Sequence, residues 1–369
     1  MMRAMMLLAA VLALACGSAT AQGLPRAADG RPDLTGVWSN ASLTWLERPA
    51  KFKSLTLPEA EARALAAADP FKRAAEADSR PSDPNAGPPP AGSLGSAHRA
   101  VFLDAGSAFA RIKGEHRTSW IVEPADGRLP LTELARTRAR EAAATSGRLD
   151  PIGPEDLAPN DRCLLGSRGS GGPGMLNNLY NSNYQFVQTP DALVIVVEMN
   201  YGVRAIPILK DKAAAQAAHR PAVLNLWMGD SVAWWEGAAL VVETTNVNPQ
   251  QGRFGPIFLS PQGRVTERFT RASVKEIAYE FRVEDPVHYT QPWRAEMVLE
   301  ALDGQIYEYA CHEGNYAMSG ILAGARVMKD GGGAPYGAAL TNISRLPAWL
   351  AGLTTPSFSI RSTSEAARL

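Results

Sequence analysis

The chain has 369 residues, with 37 basic and 37 acidic side chains and a formal net charge of zero. No basic run gives it an electrostatic footprint for nucleic acid or an anionic membrane, so the expected partner is a small-molecule ligand or substrate. A chain of this length can bury a large core.

Met1 to Ala21 joins one cation, Arg3, to an apolar run ending in Ala19-Thr20-Ala21. This pattern predicts a secretory signal peptide cleaved after an Ala-x-Ala site. Cys16 offers the rival reading of a lipoprotein cleaved at Ala15-Cys16, which Ala13, three residues earlier, disfavours. No other segment has the ~18 consecutive apolar residues of a spanning helix. No integral membrane segment is expected, and the mature protein is placed in the periplasm or outside the cell. The chain then divides into the leader over 1–21, an N-terminal extension over 22–150, a β-domain over 151–330 and a tail over 331–369.

The extension opens on Gly36-Val37-Trp38, a Gly-x-Trp with which lipocalin-like barrels often begin, the indole closing the barrel floor. An ordinary core tryptophan reads the same way. Leu57 to Arg80 predicts one or two short helices, with Pro58 suited to a first turn and Asp69-Pro70 marking a break. Pro81 to Ser96 is rich in proline and glycine and reads as an irregular linker. Leu131 to Thr145 predicts a further helix. Gly166 to Gly174 is glycine-rich but lacks the Gly-Lys-Ser/Thr of a phosphate loop.

Beyond Asn177 the hydrophobic period becomes two. Strands are predicted over 183–189, 192–199, 202–209, 232–236, 238–245, 264–272, 276–285, 293–301 and 305–311. Tyr279, Phe281 and Val283 fall on one face while Glu280, Arg282 and Glu284 fall on the other. Tight joints at Thr189-Pro190-Asp191, Glu236-Gly237 and Asp303-Gly304 connect antiparallel neighbours. The expected fold is mainly β: an antiparallel β-barrel or curved sandwich, lipocalin-like, with the N-terminal helices and long loops packed on it.

Without Cys16, two cysteines remain, Cys163 and Cys311, an even pair in an oxidising compartment. A disulfide between them is expected, contributing roughly 4–5 kcal/mol in the chain-entropy model.

Several blocks carry a resemblance: Arg117 to Pro130, Asp161-Arg162-Cys163, Tyr180 to Gln185, Trp227 to Asn246, Glu267 to Arg271, Val283 to Trp293 and Tyr307 to Arg326. In this order they resemble a large group of exported proteins of Gram-negative bacteria to which no activity is assigned. The resemblance implies export and architecture, not a reaction. The chain departs from the group at Val232-Ala233-Trp234-Trp235, where relatives often carry a charged or small residue before the second tryptophan.

Chemistry-bearing residues gather at predicted strand ends. His312-Glu313 follows the predicted disulfide and reads as a general acid or base with its orienter. Asn315 and Tyr316 would donate hydrogen bonds to developing charge. Asp230 and Glu236 flank an apolar strand beside Trp227 and Trp235, where unequal desolvation would split their pKa values; both also fit simple turns. His288 is the other base in a β-region turn. Arg204 would hold a carboxylate or pair across the sheet, and Trp293 would line a cavity or fill the core. No cofactor is expected. A divalent metal on His288, His312 and a carboxylate is the alternative, without His-x-His or His-Glu-x-x-His spacing to support it. These features point to an exported enzyme of lyase, isomerase or hydrolase type, or to a lipocalin-like binder of a small apolar ligand.

Overall fold

A computed structural model describes residues 23–78, 104–145, 153–166, 169–251 and 255–331. The predicted leader, Cys16, the linker over 81–96 and the chain beyond Gly331 lie outside the described residues.

The N-terminal part holds β1 (Gly36–Ser39), β2 (Thr56–Leu57), α1 (Glu59–Ala67), α2 (Pro70–Asp78), β3 (Arg111–Ile112), β4 (Glu115–Arg117), β5 (Ile121–Glu123) and α3 (Glu133–Thr145). Pro58 precedes α1, and Asp69 closes the turn between α1 and α2 by accepting from the backbone of Phe71 and Lys72. β2, β4 and β3 form a small sheet of their own. The second part adds β6 (Asn183–Gln188), β7 (Ala192–Val197), β8 (Gly202–Leu209), α4 (Lys212–Ala217), β9 (Asp230–Glu236), β10 (Ala239–Thr245), β11 (Arg264–Arg271), β12 (Glu276–Glu284), β13 (Trp293–Ala301), α5 (Cys311–Gly314) and α6 (Tyr316–Gly331).

Strands β6 to β13 run in sequence order around a barrel, and β1 closes it by pairing with both β6 and β13. The 22–150 extension is therefore not an accessory: it supplies the closing strand, and β5 pairs with the opposite end of β13. All neighbours in the ring are antiparallel except β8 and β9, which run parallel. The chain returns between them through α4, as a parallel pairing requires a crossover. Asp211 starts that helix by accepting from the Ala214 amide.

Closure also explains a failed expectation. Residues 305–310 are irregular rather than a strand, and Cys311 begins a helix. With β1 seated on β13, no edge is left there for another strand.

Alternation sets the core. Trp38, Tyr184, Phe186, Phe269, Tyr279, Phe281 and Trp293 all point inward with at most 1% exposure. Burial of each side chain stabilises by about 1.5–3 kcal/mol. Trp38 lies under the Arg271 guanidinium, 4.5 Å from its ring, and donates to the Leu34 carbonyl. Gly36 is needed two residues earlier: its φ is +149°, and a Cβ there would stand 3.3 Å from the Trp38 indole. Cys163 and Cys311 are joined in a disulfide across a sequence separation of 148. Among the described residues, no helix is long and apolar enough to cross a membrane.

Candidate functional site

The β9–β10 hairpin presents different chemistry on its two faces. Ala233, Leu240 and Val242 point into the barrel, while Val232, Trp234 and Val241 pack outward against Ala215 of α4 and Leu209. Register pairs Val232 with Glu243 and Asp230 with Thr245, so Asp230 and Glu243 are diagonal neighbours on the outer face.

The chain leaving α4 brings His219 onto these carboxylates. Its Nδ1 lies 2.7 Å from Asp230 Oδ2, and its Nε2 lies 3.3 Å from Glu243 Oε1. Each ring nitrogen thus faces a carboxylate oxygen. Asp230 Oδ2 also accepts from the Arg220 amide and its Oδ1 from Arg220 Nε. Burial pushes the Asp230 carboxyl up, but the bonds from Arg220 and His219 outweigh it and hold it below the usual carboxylate range. Gln216 donates to Glu243, and Arg264 stands 3.8 Å from it. The side chains of Asp230 and Glu243 are 4% and 7% exposed and that of His219 is 14% exposed, with Arg220 and Arg264 reaching solvent at the rim. Because the two ring nitrogens point at different carboxylates, the three groups do not converge on one metal position. Among the described residues, no group of three or more His, Cys, Asp or Glu side chains is arranged to hold a metal.

A second polar centre lies inside the barrel. Arg204 bonds Glu267 through both terminal nitrogens, at 3.0 and 2.5 Å. Tyr279 donates to the same carboxylate at 2.7 Å, and Ser231 and Thr244 lie beside the guanidinium. Burial pulls the Arg204 guanidinium down, but the Glu267 carboxylate outweighs it. Burial and the same carboxylate push the Tyr279 hydroxyl well up. The glycine-rich stretch seals this centre: a Cβ at Gly172, whose φ is +81°, would approach Arg204 Nη1 to 2.7 Å. Arg204 therefore pairs across the sheet and has no free fork for a ligand.

The other candidates separate. Glu236 sits six residues from Asp230, about 20 Å along an extended strand, and bonds Arg268 at 2.6 Å and Trp234 Nε1 at 2.9 Å. His288 is buried: Arg138 of α3 donates to its Nε2 at 2.7 Å, leaving Nδ1 to donate to Asp285 at 3.1 Å. Asp285 also accepts from Ser260 and from the Val287 amide. That arrangement pins α3 and the 255–263 loop to the end of β12. His312 and Glu313 are exposed on α5, not at a strand end. Asn315 donates to the Asp161 carbonyl, and Tyr316 is 83% exposed. Trp293 is core, edge-on to Phe281 and Tyr289. Trp227 is half-buried in the loop before β9, and Trp235 carries the Arg31 guanidinium 5.5 Å from its ring.

Of the residues expected to carry chemistry, only Asp230 belongs to the His219 cluster. His219 and Glu243 are additions that sequence reasoning missed. The usable signal was Glu243 itself, a lone carboxylate within Leu240-Val241-Val242-Glu243-Thr244 that requires a partner. Comparison with protein families, curated proteins and solved structures finds no match.

Proposed function

We propose that the protein is an exported enzyme performing acid–base chemistry on a small organic molecule at the outer end of the β9–β10 hairpin. The observation that carries this reading is the His219 imidazole held between two carboxylates at the edge of solvent. Asp230 fixes the ring through Nδ1 with the shorter bond, leaving Nε2, on the longer one, to deliver or receive a proton. Glu243, beside Nε2, takes up or returns the proton that the reaction moves. Arg220 and Arg264 at the rim favour a substrate with negative charge. The leader over 1–21 and the Cys163–Cys311 disulfide support export.

The carrier reading has less support, because aromatic side chains and the Arg204–Glu267 pair occupy the barrel interior. The test is turnover of chromogenic esters, and solvent deuterium exchange into small keto acids, by wild-type protein and His219→Gln. Activity on any of these compounds that disappears in the variant supports the reading. Equal activity in both proteins overturns it.

A further inference from the structure

Four arginines are buried among the described residues: Arg48, Arg117, Arg204 and Arg271. Three of them have acceptors. Arg117 bonds Glu296, Arg204 bonds Glu267, and Arg271 donates to the carbonyls of Asp33, Ser273 and Val274. Arg48 is 9% exposed, its Nε is fully buried without a partner, and its side chain makes no hydrogen bond or ion pair with any described residue. A guanidinium does not shed its proton to escape burial, so a cation with unmet donors is held there.

The backbone is arranged around this side chain. Residues 45–48 run beside 119–121, the carbonyls of Trp45 and Leu46 accepting from the amides of Trp120 and Ile121. Arg48 donates its own amide to the Gly127 carbonyl, and the following Pro49 favours an extended backbone at Arg48. Gly127 closes the turn Pro124-Ala125-Asp126-Gly127 by donating to the Pro124 carbonyl, with φ at +71°. A Cβ there would stand 2.9 Å from Arg48 Cβ and 3.1 Å from its Nε, so glycine is what leaves room for the stem. The turn within the Arg117 to Pro130 block thus holds Arg48 in place. The neighbouring carboxylates are engaged elsewhere: Glu47 accepts from the Leu129 amide, and Asp126 accepts from the Arg128 amide within its own turn. Burial pulls the Arg48 guanidinium down, Asp126 opposes this without forming an ion pair, and Arg128 adds to it. The half-buried Arg128 side chain also has no acceptor among the described residues.

We infer that Arg48 is an anion-binding residue whose fork takes the carboxylate or phosphate group of a small-molecule ligand, with Arg128 as the second cation of the site. A buried cation without a partner is strongly unfavourable, and an external oxyanion supplies the missing acceptors. The terminal nitrogens, which are not fully buried, are the atoms that meet it. Planar guanidinium and planar or tetrahedral oxyanion match through two parallel bonds, and a side chain already held in place loses little freedom on binding. The site stands beside β5, which pairs with β13, four strands around the ring from β9. It therefore binds independently of the chemistry proposed at His219.

The test is isothermal titration calorimetry of the export-processed protein with inorganic phosphate and, separately, with succinate, in a neutral buffer free of other oxyanions. The expected result is saturable binding of at least one of them, the tighter one giving the class of anion. Arg48→Met should weaken it by at least about 10-fold, Arg128→Met should weaken it less, and Arg282→Met on the charged outer wall should leave it unchanged. The bound anion should also raise the melting temperature of wild type and not that of Arg48→Met. Should Arg48→Met fail to fold, Arg48→Lys, which keeps the charge and loses the fork, carries the same comparison and should also bind more weakly. Absence of binding with both anions overturns the inference, as does binding that is equal in wild type and the Arg48 variant.

Discussion

His219 Nδ1 lies 2.7 Å from Asp230 Oδ2, a contact made within the chain over 218–229 that leaves α4 and enters β9 at Asp230. The same carboxylate accepts the Arg220 amide, so one side chain both orients an imidazole and anchors the crossover to the barrel.

That double duty has a pH signature. Asp230 is held below its ordinary value in the folded protein, so it binds protons less readily there than in the unfolded chain. Its contribution is fully present above the unfolded aspartate value, about 3.9, and is lost as pH falls through the lower folded value. Thermal melts between about pH 5 and pH 2 should show a steeper loss of stability for wild type than for Asp230→Asn, and equal slopes would contradict the assignment.

For the proton-transfer role itself, His219→Gln is expected to lower turnover by about 100- to 10,000-fold with little change in melting temperature. Its amide can still meet one of the two carboxylates. A variant that loses activity only because it unfolds would mark His219 as a structural anchor.

Inside the barrel, Arg204→Met should destabilise by about 3–5 kcal/mol, because it strands the Glu267 carboxylate at 0% exposure. Arg204→Met combined with Glu267→Leu should cost less than the sum of the two single changes. Urea denaturation of the four proteins measures the coupling; strict additivity would show that the pair does not act as one unit.

Removing the disulfide by Cys163→Ala with Cys311→Ala opens a loop with a sequence separation of 148. The chain-entropy model gives a loss of about 5 kcal/mol as its upper range. Denaturation with and without reductant checks it: the wild type should respond to reductant and the variant should not.

The barrel was legible because each long strand alternates. Tyr279, Phe281 and Val283 against Glu280, Arg282 and Glu284 are inward and wet faces as the period requires. What the period leaves out is closure. β1 is four residues long and becomes a strand by pairing with β6 and β13, both far away in sequence. The parallel step from β8 to β9 was also hidden, since it depends on where α4 docks. The site followed from that step. Asp230 looked like half of a pair with Glu236, but the two stand at opposite ends of one strand. The partner that reaches Asp230 comes from Ala218-His219-Arg220-Pro221, a stretch without periodicity or motif spacing. His312 drew attention through its place after Cys311, yet without a neighbouring strand the chain there turns into an exposed helix.

The most direct measurement compares turnover by wild type, His219→Gln and His312→Ala on one set of esters and keto acids, with thermal melts of all three. All three proteins should be folded, with activity lost in His219→Gln and kept in His312→Ala. Activity kept in His219→Gln and lost in His312→Ala would contradict the role of His219 and move the chemistry to the disulfide end of the chain.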